Sequence, residues 1–274
     1  MQACLRTPGE RCGVEKRLRI YQERAPRNAV YDKYAKRYVA TDMFKPIFLK
    51  PDPDGYLSRL RSLSEGLAER SESWIAQPPD ADIAVTPRRA VDPPVLKAVL
   101  TAVREKRSVE VYYQSLSKER PKPIWRRMTP HAFGYDGFRW HVRAFCHLDR
   151  SFNDFLLPRI LGARDMGDSG PGAEHDVLWQ ETFDVEIGPH PELTESQKAV
   201  VAKDYGMVGG RAVLRVRYAM LFYVLKRLGL LGNAVKQNPR TQHIVALNAK
   251  ETARALKRAE TESQQPLPSA RRVS

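Results

Sequence analysis

The chain has 274 residues, 46 of them Lys or Arg against 32 Asp or Glu, giving a formal net charge of +14 and a pI near 9.8. A hydrophobic fraction of 42% is enough to bury a core, which excludes a chain disordered throughout, and the basic excess favours an anionic partner such as nucleic acid, a nucleotide or a membrane surface. Three cysteines, Cys4, Cys12 and Cys146, form no CxxC pair, which fits a reducing compartment and excludes a disulfide framework or a cysteine zinc site.

The N-terminal segment is dense in charge. Between residues 11 and 40 nine Lys or Arg face three Asp or Glu, the kind of patch that meets a phosphate backbone. GVEKRLRIYQERA (13–25) reads as a short helix, while Pro8, Gly9 and Gly13 make the stretch before it a poor one. NAVYDKYAKRYVAT (28–41) alternates β-formers around a charged centre, the pattern of a hairpin. A basic helix followed by a basic hairpin is how a winged helix ends. Leu57, Leu60, Leu63 and Leu67 then fall at helical spacing within 54–76. The five prolines of 76–94 mark a linker, with a short strand expected at Ile83–Val85.

PVLKAVLTAVREKR (94–107) is an amphipathic helix with proline in its first turn. Strands are expected over 108–116, 124–133, 137–145 and 154–163, and GYDG (134–137) turns the middle two into a hairpin. A helix followed by short antiparallel strands suggests a small β-barrel. After a Gly-rich linker (165–176), strands at 182–188, 211–218 and 243–249 alternate with helices at 194–206 and 219–230, a compact α+β unit of ferredoxin-like character. The apolar run 219–232 is broken by Lys226 and Arg227 and is too short to span a bilayer. With no apolar stretch of signal-peptide length at the N-terminus, the reading is a soluble, cytoplasmic protein. The polar tail from about 257 is expected to be disordered.

GFRWHVRAF (137–145) carries the functional question. Read as a strand, it points Trp140, Val142 and Ala144 to one face and Arg139, His141, Arg143 and Phe145 to the other. Arg126, Arg127 and Arg159 lie on neighbouring strands. Guanidinium forks bind phosphate oxygens bidentately, and Tyr113 and Ser115 add hydroxyls and a stacking ring. Alternation alone leaves open whether this face is a pocket or a solvated surface. No two of His131, His141, His147, His175, His190 and His243 show helical metal spacing, and GxSxG, GxxxxGK[ST] and strand-linked GxGxxG are missing. No metal, cofactor or local catalytic set is therefore expected.

RRMTPHAFGYDGFRWHVRAFC and FNDFLLPRI resemble the WYL domain, an Sm-like β-barrel, with Trp140-His141-Val142 at the position of the Trp-Tyr-Leu triplet. P-H-A-x-G-x-D-G before it, the hairpin segment 21–40 and the α+β unit after it are similar to the WYL-domain repressors found beside phage-defence systems such as BREX and CBASS. The resemblance implies a homodimeric DNA-binding regulator: a winged helix on an operator, a barrel that senses nucleic acid or a nucleotide, and a C-terminal extension that reaches across the dimer. It implies a multidomain α+β fold with an incomplete winged-helix region (1–50), a helical, Pro-rich linker (51–107), a WYL barrel (108–165), an extension (166–250) and a disordered tail (251–274). Only about twenty residues precede Tyr21, so a shortened recognition helix is expected. Ligand contacts are expected from Tyr113, Ser115, Arg127, His131, His141, Arg143, Asn153 and Arg159. Asn153 replaces a basic residue of the family, and Trp140 is expected to pack the barrel. DNA contacts are expected from Lys16, Arg17, Arg19, Arg24, Arg27, Lys33, Lys36 and Arg37. Two other readings remain open: an Sm-like ligand- or RNA-binding module without DNA function, and a nucleotide-processing enzyme.

Overall fold

A computed structural model describes residues 8–48, 52–70, 73, 75, 78–84, 87 and 89–267, with side chains of the first helix from Lys16 onward. The chain divides into two units between Thr86 and Pro87.

The first unit holds α1 (Pro8–Arg24), a hairpin of β1 (Ala29–Asp32) and β2 (Arg37–Ala40), and α2 (Pro53–Ser64). The expected break before residue 13 does not occur, because α1 starts at Pro8 itself. Proline is tolerated in a first turn, where its missing N–H has no helical acceptor. Buried Asn28 ties the helix end to the hairpin exit: its amide donates to Tyr21 Oη (2.9 Å) and Lys45 O (2.5 Å), and its Oδ1 accepts the Lys45 N–H (3.1 Å). The expected hairpin forms, in the register Ala29↔Ala40 to Asp32↔Arg37. The Asp32 carboxylate accepts the N–H groups of Tyr34 and Ala35, and Lys36 closes the turn at φ +49°. The expected helix over 54–76 ends at Ser64. Gly66, at φ +66°, turns the chain out of the helix and leaves Leu67 exposed. Ile83 and Ala84 form no strand, and Val85 lies outside the described residues.

The second unit begins with α3 (Pro93–Glu105), which lays Val95, Val99 and Ala102 on a five-stranded antiparallel sheet. Its strands are β3 (Ser108–Tyr113), β4 (Ile124–Tyr135), β5 (Trp140–Cys146), β6 (Ser151–Leu156) and β7 (Ile160–Gly167), in the order β6-β5-β4-β3-β7. The single strand expected over 154–163 is two strands. Leu157-Pro158-Arg159 makes a 3₁₀ turn, where proline has no N–H for a ladder, and β7 crosses to the far edge beside β3. Val109, Val111, Met128, Val142, Ala144, Cys146 and Phe155 fill the core.

A C-terminal α+β part follows: α4 (Val177–Gln180), β8 (Thr182–Pro189), α5 (Glu195–Asp204), β9 (Ala212–Arg217), α6 (Tyr218–Arg227), β10 (Ile244–Ala246) and α7 (Ala249–Gln264). Its sheet, β10-β8-β9, is antiparallel, and β9 and β10, on either side of β8, run parallel to each other and are joined through α6, the split βαβ connection of a ferredoxin-like unit. The tail expected to be disordered from residue 251 is helical to Gln264. Thr252, Ala255 and Ala259 repeat at three and four residues and are buried, a stripe of small side chains that a polar composition hides. Residues 268–274 of that tail lie outside the described residues. Among the described residues no helix is long and apolar enough to cross a membrane.

Candidate functional site

The alternation of β5 holds, and both of its faces are buried. Val142, Ala144 and Cys146 enter the barrel core. On the other face His141 and Arg143 are each 3% exposed. The open cationic face expected there is therefore closed, and carboxylates close it. The β5–β6 register sets Asp154 opposite Arg143, with Oδ1 3.3 Å from Nη1. Asp176, the N-cap of α4, meets the side edge of the same guanidinium: Nε donates to Oδ2 at 2.7 Å and Nη2 to Oδ1 at 3.0 Å.

His131 joins this cluster through a bulge. Pro130 pairs with Ala144 and Ala132 with Arg143, which leaves His131 as the extra residue and re-aims its ring. Its Nε2 lies 2.9 Å from Asp176 Oδ2. With the carboxylate ionised, that nitrogen carries the proton. Phe152 and Trp179 flank the ring. Burial alone would raise the Asp176 carboxyl, but the bonds from His131 and Arg143 hold it below the usual carboxylate range.

A second carboxylate serves the turn. Asp136 Oδ1 accepts the N–H groups of Phe138 (2.8 Å) and Arg139 (2.6 Å). Its Oδ2 accepts from Arg139 Nε (2.9 Å) and His141 Nε2 (3.2 Å). Against the upward push of burial, these bonds lower its carboxyl to about 2. The His141 ring packs 4.6 Å from Tyr223, whose hydroxyl donates to Asp154 Oδ2 at 3.1 Å. Burial and the neighbouring Asp154 push that phenol upward.

The other expected ligand residues do not join this cluster. Tyr113 belongs to the core, with its ring 5.0 Å from Phe155 and its hydroxyl accepting the Leu156 N–H. Arg127 donates to Ser108 Oγ and Asp165 O. Ser115 accepts the Ser117 N–H, and Asn153 donates to Asp149 and Ser151. Arg159 sits in the 3₁₀ turn, where its carbonyl accepts the Gln114 N–H. Trp140, expected to pack the barrel, is 52% exposed and stacks on Tyr135. It stands at the strand's first position, beside the turn and beyond the reach of the core.

Arg126 is buried on the core side opposite Val111, its guanidinium over the Tyr113 ring at 5.2 Å and Nη1 3.8 Å from Asp149. Its Nε and Nη2 meet no acceptor among the described residues.

Sequence reasoning missed the three carboxylates. Asp154 was reachable, because one of the few antiparallel registers that pair FNDF with HVRAF sets it opposite Arg143. Asp176 was not, because it sits 33 residues away in a stretch that reads as linker.

In the first unit, Lys16, Arg17, Arg19 and Arg24 of α1, and Arg27 beyond it, are exposed, as are Lys33, Lys36 and Arg37 around the hairpin turn. Arg19 pairs with Glu23 at 3.2 Å. Lys33, Lys36 and Arg37 have no carboxylate within ion-pair reach among the described residues, and Tyr34 at the tip is fully exposed.

Three family descriptions match consecutive parts of the chain. Residues 10–62 match the BrxR transcriptional regulator winged helix-turn-helix domain, 94–165 the WYL domain, and 182–252 the BrxR transcriptional regulator C-terminal dimerization domain. Proteins named DNA-binding transcriptional repressor CapW are similar over most of their length. The one from Stenotrophomonas maltophilia is 39% identical over 235 residues, 85% of this chain and 78% of that protein. The one from Escherichia coli (strain KTE188) is 32% identical, with 88% and 80% covered, and the one from Pseudomonas aeruginosa 34%, with 84% and 77% covered.

Proposed function

The chain belongs to the family of DNA-binding transcriptional repressors named CapW, built from a BrxR-type winged helix, a WYL domain and a BrxR-type dimerization domain, and from that premise we propose that it is a homodimeric repressor of a phage-defence locus whose WYL domain senses an anionic, nucleic-acid or nucleotide ligand. The observation that carries the DNA side of this reading is the hairpin turn. Three cations without carboxylate partners among the described residues flank a fully exposed tyrosine at the tip of a two-stranded hairpin. Such a tip lies along phosphates, and the α1 cations Lys16, Arg17, Arg19 and Arg24, with Arg27, extend the contact.

Ligand sensing acts by linkage. A ligand that binds the DNA-released dimer better than the DNA-bound one lowers operator affinity by the ratio of its two affinities.

An electrophoretic mobility shift with duplex from upstream of the gene, scrambled duplex and single strand, over a range of salt, tests the DNA reading. Sequence-selective retardation is expected. Lys33→Ala/Lys36→Ala/Arg37→Ala should flatten the slope of log K against log[salt] by about 2.7. Retardation equal for all duplexes, with an unchanged slope in the variant, would overturn it.

A further inference from the structure

Resting on the sensor reading above, we propose that the ligand enters the WYL domain at a cleft between the β4–β5 turn and the C-terminal end of α6, and that its chemistry there is a phosphate joined to a nucleobase. The cleft encloses about 480 Å³, within the range of small-molecule sites. Four cations line it: Arg89 from the segment before α3, Arg139 from the turn, and Lys226 and Arg227 from α6.

One carboxylate, Asp136, faces these four, and it is saturated. Arg139, His141 and two backbone N–H groups already occupy its oxygens. Arg89, Lys226 and Arg227 meet no carboxylate among the described residues. The nearby β5 face differs, since every cation there has an acid beside it. Helix-end stabilisation accounts for Lys226 and Arg227, which sit in the last turn of α6. It does not account for Arg89 and Arg139, which reach the same concavity from two other elements.

The walls supply the second half of the chemistry. Phe138 is 44% exposed, with Arg89 4.8 Å from its ring centre, and Tyr223 also lines the cleft. A base stacks on an aromatic face while the phosphate takes the forks. The turn is cut to admit this arrangement. Gly137 runs at φ +88°, and a Cβ there would lie 2.6 Å from Arg227 Nη1, so the guanidinium rests directly on the glycine backbone. The cleft is also wired inward. Asp136 holds His141, Tyr223 holds Asp154, and Asp154 reaches Arg143 and through it Asp176.

The test uses the full chain carrying Lys33→Ala/Lys36→Ala/Arg37→Ala, so that the hairpin does not capture the probe. Anisotropy of a fluorescein-labelled five-nucleotide single strand is read, with ATP, unlabelled oligonucleotide and inorganic pyrophosphate as competitors. Lys226→Ala/Arg227→Ala should weaken binding at least tenfold and flatten the salt slope by about 1.4. Phe138→Ala should weaken it about tenfold with the slope unchanged, which loss of a phosphate contact would not do. Displacement by ATP identifies a nucleotide source, and displacement by the oligonucleotide alone identifies a single strand; either supports the proposal. Pyrophosphate competing as well as either would overturn the base half of it. Probe binding untouched by both variants, but lost in Arg143→Met with its circular dichroism intact, would overturn the cleft and leave the sensor reading standing. No binding of the labelled strand to the parent by anisotropy, and none of ATP by calorimetry, would remove the sensor reading itself.

Discussion

Arg143 on β5 and Arg227 at the end of α6 carry the same guanidinium in the same unit. The first is 3% exposed and held by two carboxylates, whereas the second is exposed and has none among the described residues. The hairpin cations Lys33, Lys36 and Arg37 resemble Arg227. Taking a charge out of water costs several kcal/mol unless a partner comes with it, so buried cations arrive with acids and become part of the fold. A solvated cation needs no partner, and its charge stays available to a ligand. Charge on a strand face therefore says nothing about binding until its depth is known. The basic excess of this chain is divided between cations that hold the barrel to the helices around it and cations that can reach phosphate.

The sharpest way to break this contrast is to remove the acid at the buried end. Asp176→Ala leaves Arg143 with Asp154 alone, removes the partner of His131 and uncaps α4. A loss of about 3 kcal/mol is expected in urea unfolding. Arg143→Met/Asp176→Leu should cost less than Asp176→Ala, because the guanidinium and its main acid leave together and Asp154 keeps the Tyr223 hydroxyl. A cost below about 1 kcal/mol for Asp176→Ala would mean that the closed face does not depend on its ion pairs.

Acid should loosen the same region. The Asp136 carboxyl is lowered to about 2 in the folded chain, and Asp176 is also lowered. A lowered folded-state value means that the stabilisation is complete above the unfolded value near 4 and is lost as pH falls towards 2. For Asp136 this amounts to about 2 kcal/mol. Asp136→Asn should be less stable than the parent at pH 7 by about that amount, and the two should converge by about pH 2. A constant difference across this range would show that Asp136 acts through the geometry of its turn and not through charge.

Arg126 sits between the two classes. It is buried like Arg143, but its Nε and Nη2 edge, the edge that Asp176 fills on Arg143, meets no protein acceptor among the described residues. Arg126→Met should cost less than about 1 kcal/mol or raise stability slightly, since a poorly matched buried charge is exchanged for a thioether against Tyr113. Asp149 keeps its ion pair with Arg120 in that variant. A loss near that of Asp176→Ala would place Arg126 with the paired class.

Much of the architecture was legible because its signals are local. Asp32 and the residues after it mark the hairpin turn, Pro93 and Pro94 open α3, and Asp136-Gly137 joins β4 to β5. The elements that escaped depend on contacts distant in sequence or on small side chains. Pro158 splits a run that is mostly apolar on both sides of Arg159, and α7 buries two alanines and a threonine. The site was legible in residue type but not in state. His131, His141 and Arg143 do gather, yet their charges are answered from residues 136, 154 and 176, and no spacing rule links 143 to 176.

The smallest expected effect tests the solvated end of the contrast. Lys36 closes the hairpin turn at φ +49°, a backbone region that asparagine adopts more readily than most side chains. Lys36→Asn therefore removes one charge while keeping the turn, and no ion pair is broken. Stability should change by less than about 0.5 kcal/mol, as for an ordinary surface substitution. The slope of log K against log[salt] for duplex DNA should still flatten by about 0.9. If stability fell as well, the turn charge would belong to the fold as Arg143 does. If neither quantity moved, the hairpin tip would stand away from the phosphates, and the duplex contact would shift to Lys16, Arg17 and Arg24 of α1, whose charges lie on the helix and not on the turn.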